Sequence, residues 1–244
     1  MRSSSLPSSA SGNLPALILA AGRGERMRPL TDHAPKPLLK VRGKPLIEWH
    51  LQALARDGVR EVVINTAWLE EQFPATLGDG SRWGLRIRYS MEGRDHGGAL
   101  ETAGALATAL PLLQQGGADA FWLVSGDIFM PDWHFDGQQA RRFAGSDDLA
   151  HFVFVPNPPF HPRGDFGLTD DGRVVADAPQ RWTYANVALV RAGLVEGLPA
   201  GRRMALRPFM DRAIAAGRVS GEVWRGPWEN VGTPAQLDAL DGRL

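Results

Sequence analysis

Apolar positions along the chain switch repeatedly between two periods. Residues 14–21 (LPALILAA) form an unbroken apolar run of strand length, as expected for a strand buried on both faces. Residues 45–57 place Leu46, Ile47, Leu51, Leu54 and Ala55 at helical spacing, with Pro45 suited to the first turn and Gly58 to the stop. The branched run at 60–65 (REVVIN) returns to a strand, and 69–77 predicts a short helix weakened by Pro74. A turn at 78–81, an alternating strand at 85–89, a polar glycine-rich loop at 90–98 and an Ala/Leu helix at 99–113 follow. Another apolar strand is expected at 120–125, a helix at 133–143 and a strand at 150–155. This strand–helix–strand alternation predicts an α/β fold, Rossmann-like, with a mostly parallel sheet and flanking helices.

The second half breaks that rhythm. Residues 156–162 (PNPPFHP) are a proline-rich excursion, and 166–168 and 173–175 flank Asp170-Asp171-Gly172 as a hairpin. A strand at 184–190, a helix at 207–216, a strand at 219–224 and a helix opened by Pro234 complete the chain. The hairpin reads as a small insertion on an otherwise regular sheet.

The first strand empties into Gly22-Arg23-Gly24, where glycines permit a tight turn and let backbone N–H groups approach an anion. Arg26, Arg28 and Lys36 follow in a segment stiffened by Pro29, Pro35 and Pro37. Cations spaced along such a loop suit a polyphosphate. Neither of the common phosphate fingerprints is present. Met27 stands where the dinucleotide motif needs its third glycine, and no Gly-Lys-Ser/Thr follows at the Walker spacing. A second chemical feature is Asp127, which follows Gly126 at the end of the 120–125 run. In an open α/β sheet ligands gather at strand C-termini, so this carboxylate and the glycine turn are expected at one edge.

Composition narrows the partners. The formal net charge is +0, which argues against general affinity for nucleic acid or an anionic membrane. With Cys 0 there is no disulfide, thiolate metal site or cysteine nucleophile. None of the six histidines forms an HxH or HExxH pair, so a zinc site is not expected. The apolar runs are too short to span a bilayer. Residues 1–13 are Ser-rich without an apolar signal core and are expected to be a disordered leader, with 14–244 a single domain in the cytoplasm.

The block GRGERMRPLT, residues 22–31, followed by PKPL at 35–38, resembles the opening motif of the sugar-1-phosphate nucleotidyltransferases. The resemblance runs from about Leu14 to Leu240. It implies the nucleotide-diphospho-sugar transferase fold and transfer of a nucleotidyl group from a nucleoside triphosphate to a sugar 1-phosphate. Within the family the chain is most similar to members that use UTP and N-acetylmuramate 1-phosphate in cell-wall sugar recycling. Guanylyl or thymidylyl transfer to mannose-, heptose- or glucose-1-phosphate is the alternative. The assembly expected is a monomer or small homo-oligomer.

By resemblance, Ala20, Ala21, Gly22 and Gly24 line the nucleotide, while Arg26 and Lys36 neutralise its phosphates. Glu92 and the LETAG segment, with Thr102, Ala103 and Gly104, fall on the base side. A carboxylate there suits the N3–H of uracil as well as the N1–H and N2–H of guanine, which leaves the base open. Glu101 and Thr102 equally suit the first turn of a helix. Asp165 and Asn186 match positions lining the sugar pocket, although Asp165 also reads as an exposed hairpin residue. Trp182 and Trp228 are candidates for packing near the sugar. The family's Gly-Asp, here Gly126-Asp127, implies a Mg²⁺ ligand. The second ligand is usually the aspartate of a Trp-x-Asp-Val-Gly-Thr segment, and this chain has Asn230 in that place. An amide oxygen can coordinate but brings no charge. A catalytically inactive nucleotide-binding regulator is therefore the reading from another class. Arg163, Arg191 and Arg207 are available to meet an acceptor carboxylate.

Overall fold

The computed structural model describes residues 13–242. The leader expectation therefore lies outside the described residues, apart from Asn13. That side chain is fixed rather than loose: its Nδ2 donates to the carbonyls of Asp57 (3.2 Å) and Phe135 (2.7 Å).

A nine-stranded sheet organises the chain. Its strands are β1 (Ala16–Leu19), β2 (Glu61–Thr66), β3 (Arg86–Met91), β4 (Ala120–Ser125), β5 (Ala150–Val155), β6 (Phe166–Leu168), β7 (Val174–Val175), β8 (Arg181–Arg191) and β9 (Val219–Val223). The order β3-β2-β1-β4 is parallel throughout. Antiparallel β8 then pairs with β4 and, on its other edge, with β5, to which β9 adds in parallel. The start of β8 extends past the expected strand to pair with β6, and β6–β7 form the predicted hairpin. A register shift in β8 between Tyr184 and Ala188 coincides with Asn186, whose φ is 61.

The helices are α1 (Leu46–Arg56), α2 (Gln72–Leu77), α3 (Glu92–His96), α4 (Glu101–Leu113), α5 (Gly137–Ala144), α6 (Arg207–Ala215) and α7 (Pro234–Asp241). They cover both faces of the sheet. Ala16 and Ile18 of β1, Val62 and Ile64 of β2, and Trp122 and Val124 of β4 meet α1 and α5 in one core. Leu17, Val63, Phe121 and Leu123 point the other way, onto α4 and α6. This period of two explains why the strands read as continuous apolar runs: each face is buried.

Two expectations are corrected. The helix predicted at 133–143 begins only at Gly137, because Trp133 and Phe135 are drawn into the core in irregular chain and the Asp136 side chain caps the helix by accepting from the Gln138 N–H. The loop predicted at 90–98 instead continues β3 through Met91 and makes the short α3. Glu70 holds that turn, accepting from the N–H groups of Gly93 (3.0 Å) and Arg94 (2.7 Å).

A third, smaller core bears on the site. Met27, Phe129 and Val231 pack with Val41, Leu46, Leu237 and Leu240. Met27 follows Arg26, Phe129 lies two residues beyond Asp127, and Val231 follows Asn230. One cluster thus sets the positions of three separate chain segments.

Candidate active site

The edge of the sheet where β1 and β4 end carries the chemistry. The two strands are in register at Leu19 and Ser125, and the Gly126 N–H donates to the Leu19 carbonyl at 2.8 Å. A side chain at Gly126 would meet that carbonyl at 3.0 Å, so glycine lets the Asp127 segment lie flat against the glycine turn. In the turn, Gly24 has φ 67 and its carbonyl accepts from the Thr31 hydroxyl (2.9 Å) and the Met27 N–H (2.9 Å). Thr31 is buried and its own carbonyl accepts from the Trp68 indole. The PLT of the motif is therefore the clasp that closes the loop.

Lys36 is buried, and its Nζ lies 2.8 Å from Asp127 Oδ2. Asp127 Oδ1 is buried without a hydrogen-bond partner among the described residues. A buried carboxylate oxygen left bare in a phosphate-type loop fits a hard cation: Mg²⁺ takes one or two carboxylates and completes its shell with water and phosphate oxygens. Asn230 comes alongside because Glu229–Asn230 pairs antiparallel with Ile128–Phe129, and the Val231 N–H donates to the Asp127 carbonyl at 3.1 Å. The fully buried His50 fixes the same segment, with Nε2 2.9 Å from the Ile128 carbonyl. Burial pushes its pKa down to about 4, so the ring is neutral at pH 7 and donates from Nε2.

Ala20, Ala21, Gly22, Gly24, Arg26, Lys36, Thr102 and Asp127 line one cavity of about 390 Å³. A second, of about 400 Å³, is lined by Arg26, Asp165, Asn186, Arg207, Trp228 and Asn230, among others. A third joins them, sharing Thr102 and Ser125 with the first and Asn186 and Arg207 with the second. The result is one trough with the glycine turn at one end and the β6–β8 region at the other. Arg26, exposed and lying over Gly232, lines both ends.

Three base-side residues do not reach this trough. Glu92 has no exposed surface, and its carboxylate accepts from Asn65 Nδ2 (3.0 Å) and the Leu100 N–H (2.9 Å); desolvation pushes its pKa up. The N–H groups of Ala103 and Gly104 donate to the Met204 carbonyl, closing the start of α4. A Cβ at Gly104 would meet the Arg202 carbonyl at 2.4 Å, so this glycine makes room for a crossing chain. Asp165 reaches the trough with both oxygens engaged, one by the Tyr184 N–H (2.8 Å) and the other by His161 Nε2 (3.1 Å). Of the three arginines proposed for an acceptor carboxylate, Arg207 lines the trough with its Nε on Asp211 (2.7 Å), whereas Arg191 is bound to Asp119 and does not line it. Trp228 lines it, donating its indole N–H to Ala185 O. Arg28 is paired with Asp32.

Asn65, Ser125 and Arg203 line the first cavity and escaped sequence reading. Asn65 and Ser125 share a usable signal, a polar residue ending an apolar parallel strand. Arg203, paired with Glu101 at 3.1 Å, has none.

Comparison with known proteins agrees with this architecture. The nucleotidyl transferase family model matches residues 15–175. The chain is 45% identical over 225 residues to the N-acetylmuramate alpha-1-phosphate uridylyltransferase of Neisseria meningitidis serogroup B, covering 91% of this chain and 94% of the relative. It is 31% identical to that of Caulobacter vibrioides, covering 94% and 96%. A glucose-1-phosphate thymidylyltransferase structure from Bacillus anthracis, described as putative, superposes with a TM-score of 0.75 at 19% identity, covering 93% and 94% of the two chains. With a family model over most of the sheet and relatives matching nearly end to end, the chain belongs to the nucleotidyl transferase family.

Proposed function

We propose that the protein transfers a uridylyl group from UTP to N-acetylmuramate 1-phosphate, releasing pyrophosphate, as a cytoplasmic enzyme of cell-wall sugar recycling. The observation that carries the reaction class is the continuous trough with Lys36 and Asp127 at its glycine-turn end and Arg26 lining both ends. The nucleotide belongs at the glycine turn and the acceptor against β6 and β8. An oxygen of the acceptor phosphate attacks the α-phosphorus, the bond to the bridging oxygen breaks, and pyrophosphate leaves with the electron pair. That attacking phosphate is already anionic near pH 7, so no side-chain base is needed. The protein holds two mutually repelling anions in line and offsets the charge that develops on them.

Lys36 and Arg26 donate to phosphate oxygens, Arg26 spanning donor and acceptor. Asp127 and Asn230 are the residues that would hold Mg²⁺, which when bound offsets phosphate charge. The substrate choice rests on the Neisseria and Caulobacter relatives and on Arg207, the cation that meets the lactyl carboxylate of the acceptor.

A pyrophosphate-release assay over a matrix of nucleoside triphosphates and sugar 1-phosphates tests this. UTP with N-acetylmuramate 1-phosphate should be the best pair. In Arg207→Gln the KM for that acceptor should rise, with little change for N-acetylglucosamine 1-phosphate. A best pair with GTP or dTTP would move the substrate assignment, and tight nucleotide binding without turnover on any pair would overturn the enzymatic reading.

A further inference from the structure

We infer that Lys36 acts as the stand-in cation of the metal carboxylate in the free protein, so that a divalent ion enters only together with a nucleoside triphosphate. This rests on the nucleotidyl transfer reading.

The charge count at the site is the starting point. Asp127 contributes one negative charge, Lys36 one positive charge at 2.8 Å, and Asn230 none. The lysine is buried while the Asp127 side chain is 33% exposed, so water reaches the pair only from the carboxylate side. The cradle of these three side chains is neutral, so a free divalent ion meets an Asp127 carboxylate whose charge Lys36 already shares. Mg²⁺ dehydrates reluctantly and gains little from such a site. Asp127 Oδ1 offers a bare acceptor, yet binding there sets the ion beside an ammonium. Removing the ammonium without a replacement anion is no remedy, because a buried unpaired charge is costly.

A triphosphate resolves the conflict by supplying oxygens for both cations. The stem of Lys36 restricts how the exchange happens. A Cβ on Gly24 would lie 3.2 Å from Lys36 Cβ and 3.4 Å from its Cδ, so the side chain runs packed along the glycine turn. Its freedom is concentrated in the last bonds before Nζ. The ammonium can pass from Asp127 Oδ2 to an anion over Gly22–Gly24, because all three line one cavity. Once Lys36 has moved, both Asp127 oxygens face the arriving ion. Metal and nucleotide then each favour the other's binding, by the same factor.

The test uses Mn²⁺ counted by electron paramagnetic resonance on the nucleotide-free protein, with no turnover in the readout. Wild type and Lys36→Arg should bind Mn²⁺ only in the millimolar range, and Lys36→Met should bind it at least about tenfold more tightly. Asn230→Asp, which makes the cradle net negative, should tighten binding likewise. A Lys36→Met protein with unchanged Mn²⁺ affinity, or wild type that binds Mn²⁺ alone in the micromolar range, would overturn the inference. A measurement without a Lys36 variant runs in parallel: wild type should bind a non-hydrolysable UTP analogue at least about tenfold more tightly with Mn²⁺ than without it. Equal affinity would also overturn it. Failure of every sugar 1-phosphate in the turnover matrix would instead strike the proposed function and leave the Mn²⁺ titration standing.

Discussion

Asn65 and Glu92 form a buried amide–carboxylate pair that ties the base-side turn to the glycine-turn strand. Asn65 Nδ2 donates to Glu92 Oε1 at 3.0 Å, while Asn65 Oδ1 accepts from the Ala20 N–H at 2.9 Å. The carboxylate accepts two N–H groups, from Asn65 and Leu100, and an amide in its place has one acceptor oxygen and an unwanted donor. Glu92→Gln should therefore lower stability by about 1–3 kcal/mol in urea unfolding. The nucleotide preference should stay unchanged. A switch in preferred base with unaltered stability would show Glu92 acting on the ligand.

Arg26 bridges the two halves of the trough, so its loss should fall on the chemical step. Arg26→Ala is expected to lower kcat about 10²–10³-fold, as for other single charge donors in a transition state. Steady-state kinetics with each substrate varied will measure it. Retention of more than a tenth of the wild-type rate would remove Arg26 from the machinery.

Gly104 was expected beside the base, and its geometry gives it a packing role. A methyl group there would press on the Arg202 carbonyl and the Leu100 side chain. Gly104→Ala should cost about 1–3 kcal/mol through overpacking. Thermal unfolding reads this directly, and an unshifted Tm would mean the 202–204 segment yields freely.

His50 makes the fold acid-sensitive. Its pKa falls from 6.5 in the unfolded chain to about 4 in the folded one, because burial disfavours the imidazolium. The unfolded chain then binds the extra proton first, so this stabilisation is complete above pH 6.5 and is lost as pH falls through 4. Between pH 7.5 and 5 the loss is about 2 kcal/mol. Glu92 has the opposite sign: its raised pKa favours the fold in acid. The comparison is therefore His50→Gln against wild type, which differ in the histidine alone. Urea unfolding at both pH values should show a shallower pH dependence in the variant, and parallel curves would count against the assignment.

The fold was legible because its strands are buried on both faces and punctuated by glycine. LILAA and AFWLVS could hardly be anything else, and their parallel neighbourhood put Gly22–Gly24 and Asp127 at one edge. The burial of Glu92 was not legible because nothing in MEGRDH reveals that Glu70, distant in sequence, pins the next two N–H groups. The packing of Ala103 and Gly104 was hidden similarly: Met204 and Arg202 arrive from about a hundred residues away. Trp133 looked helical because its run carries helix-compatible residues, and tertiary packing overrode the local preference. Long-range contacts of this kind leave no periodic trace.

The small core of Met27, Phe129 and Val231 separates the lifetime of activity from the lifetime of the fold. Two of its members, Leu237 and Leu240, come from α7, a helix of eight residues outside the main sheet. Local opening of such a helix needs far less energy than unfolding the sheet. On warming, catalysis should therefore fade reversibly while the sheet still gives its full circular dichroism signal, and cooling should return it without refolding.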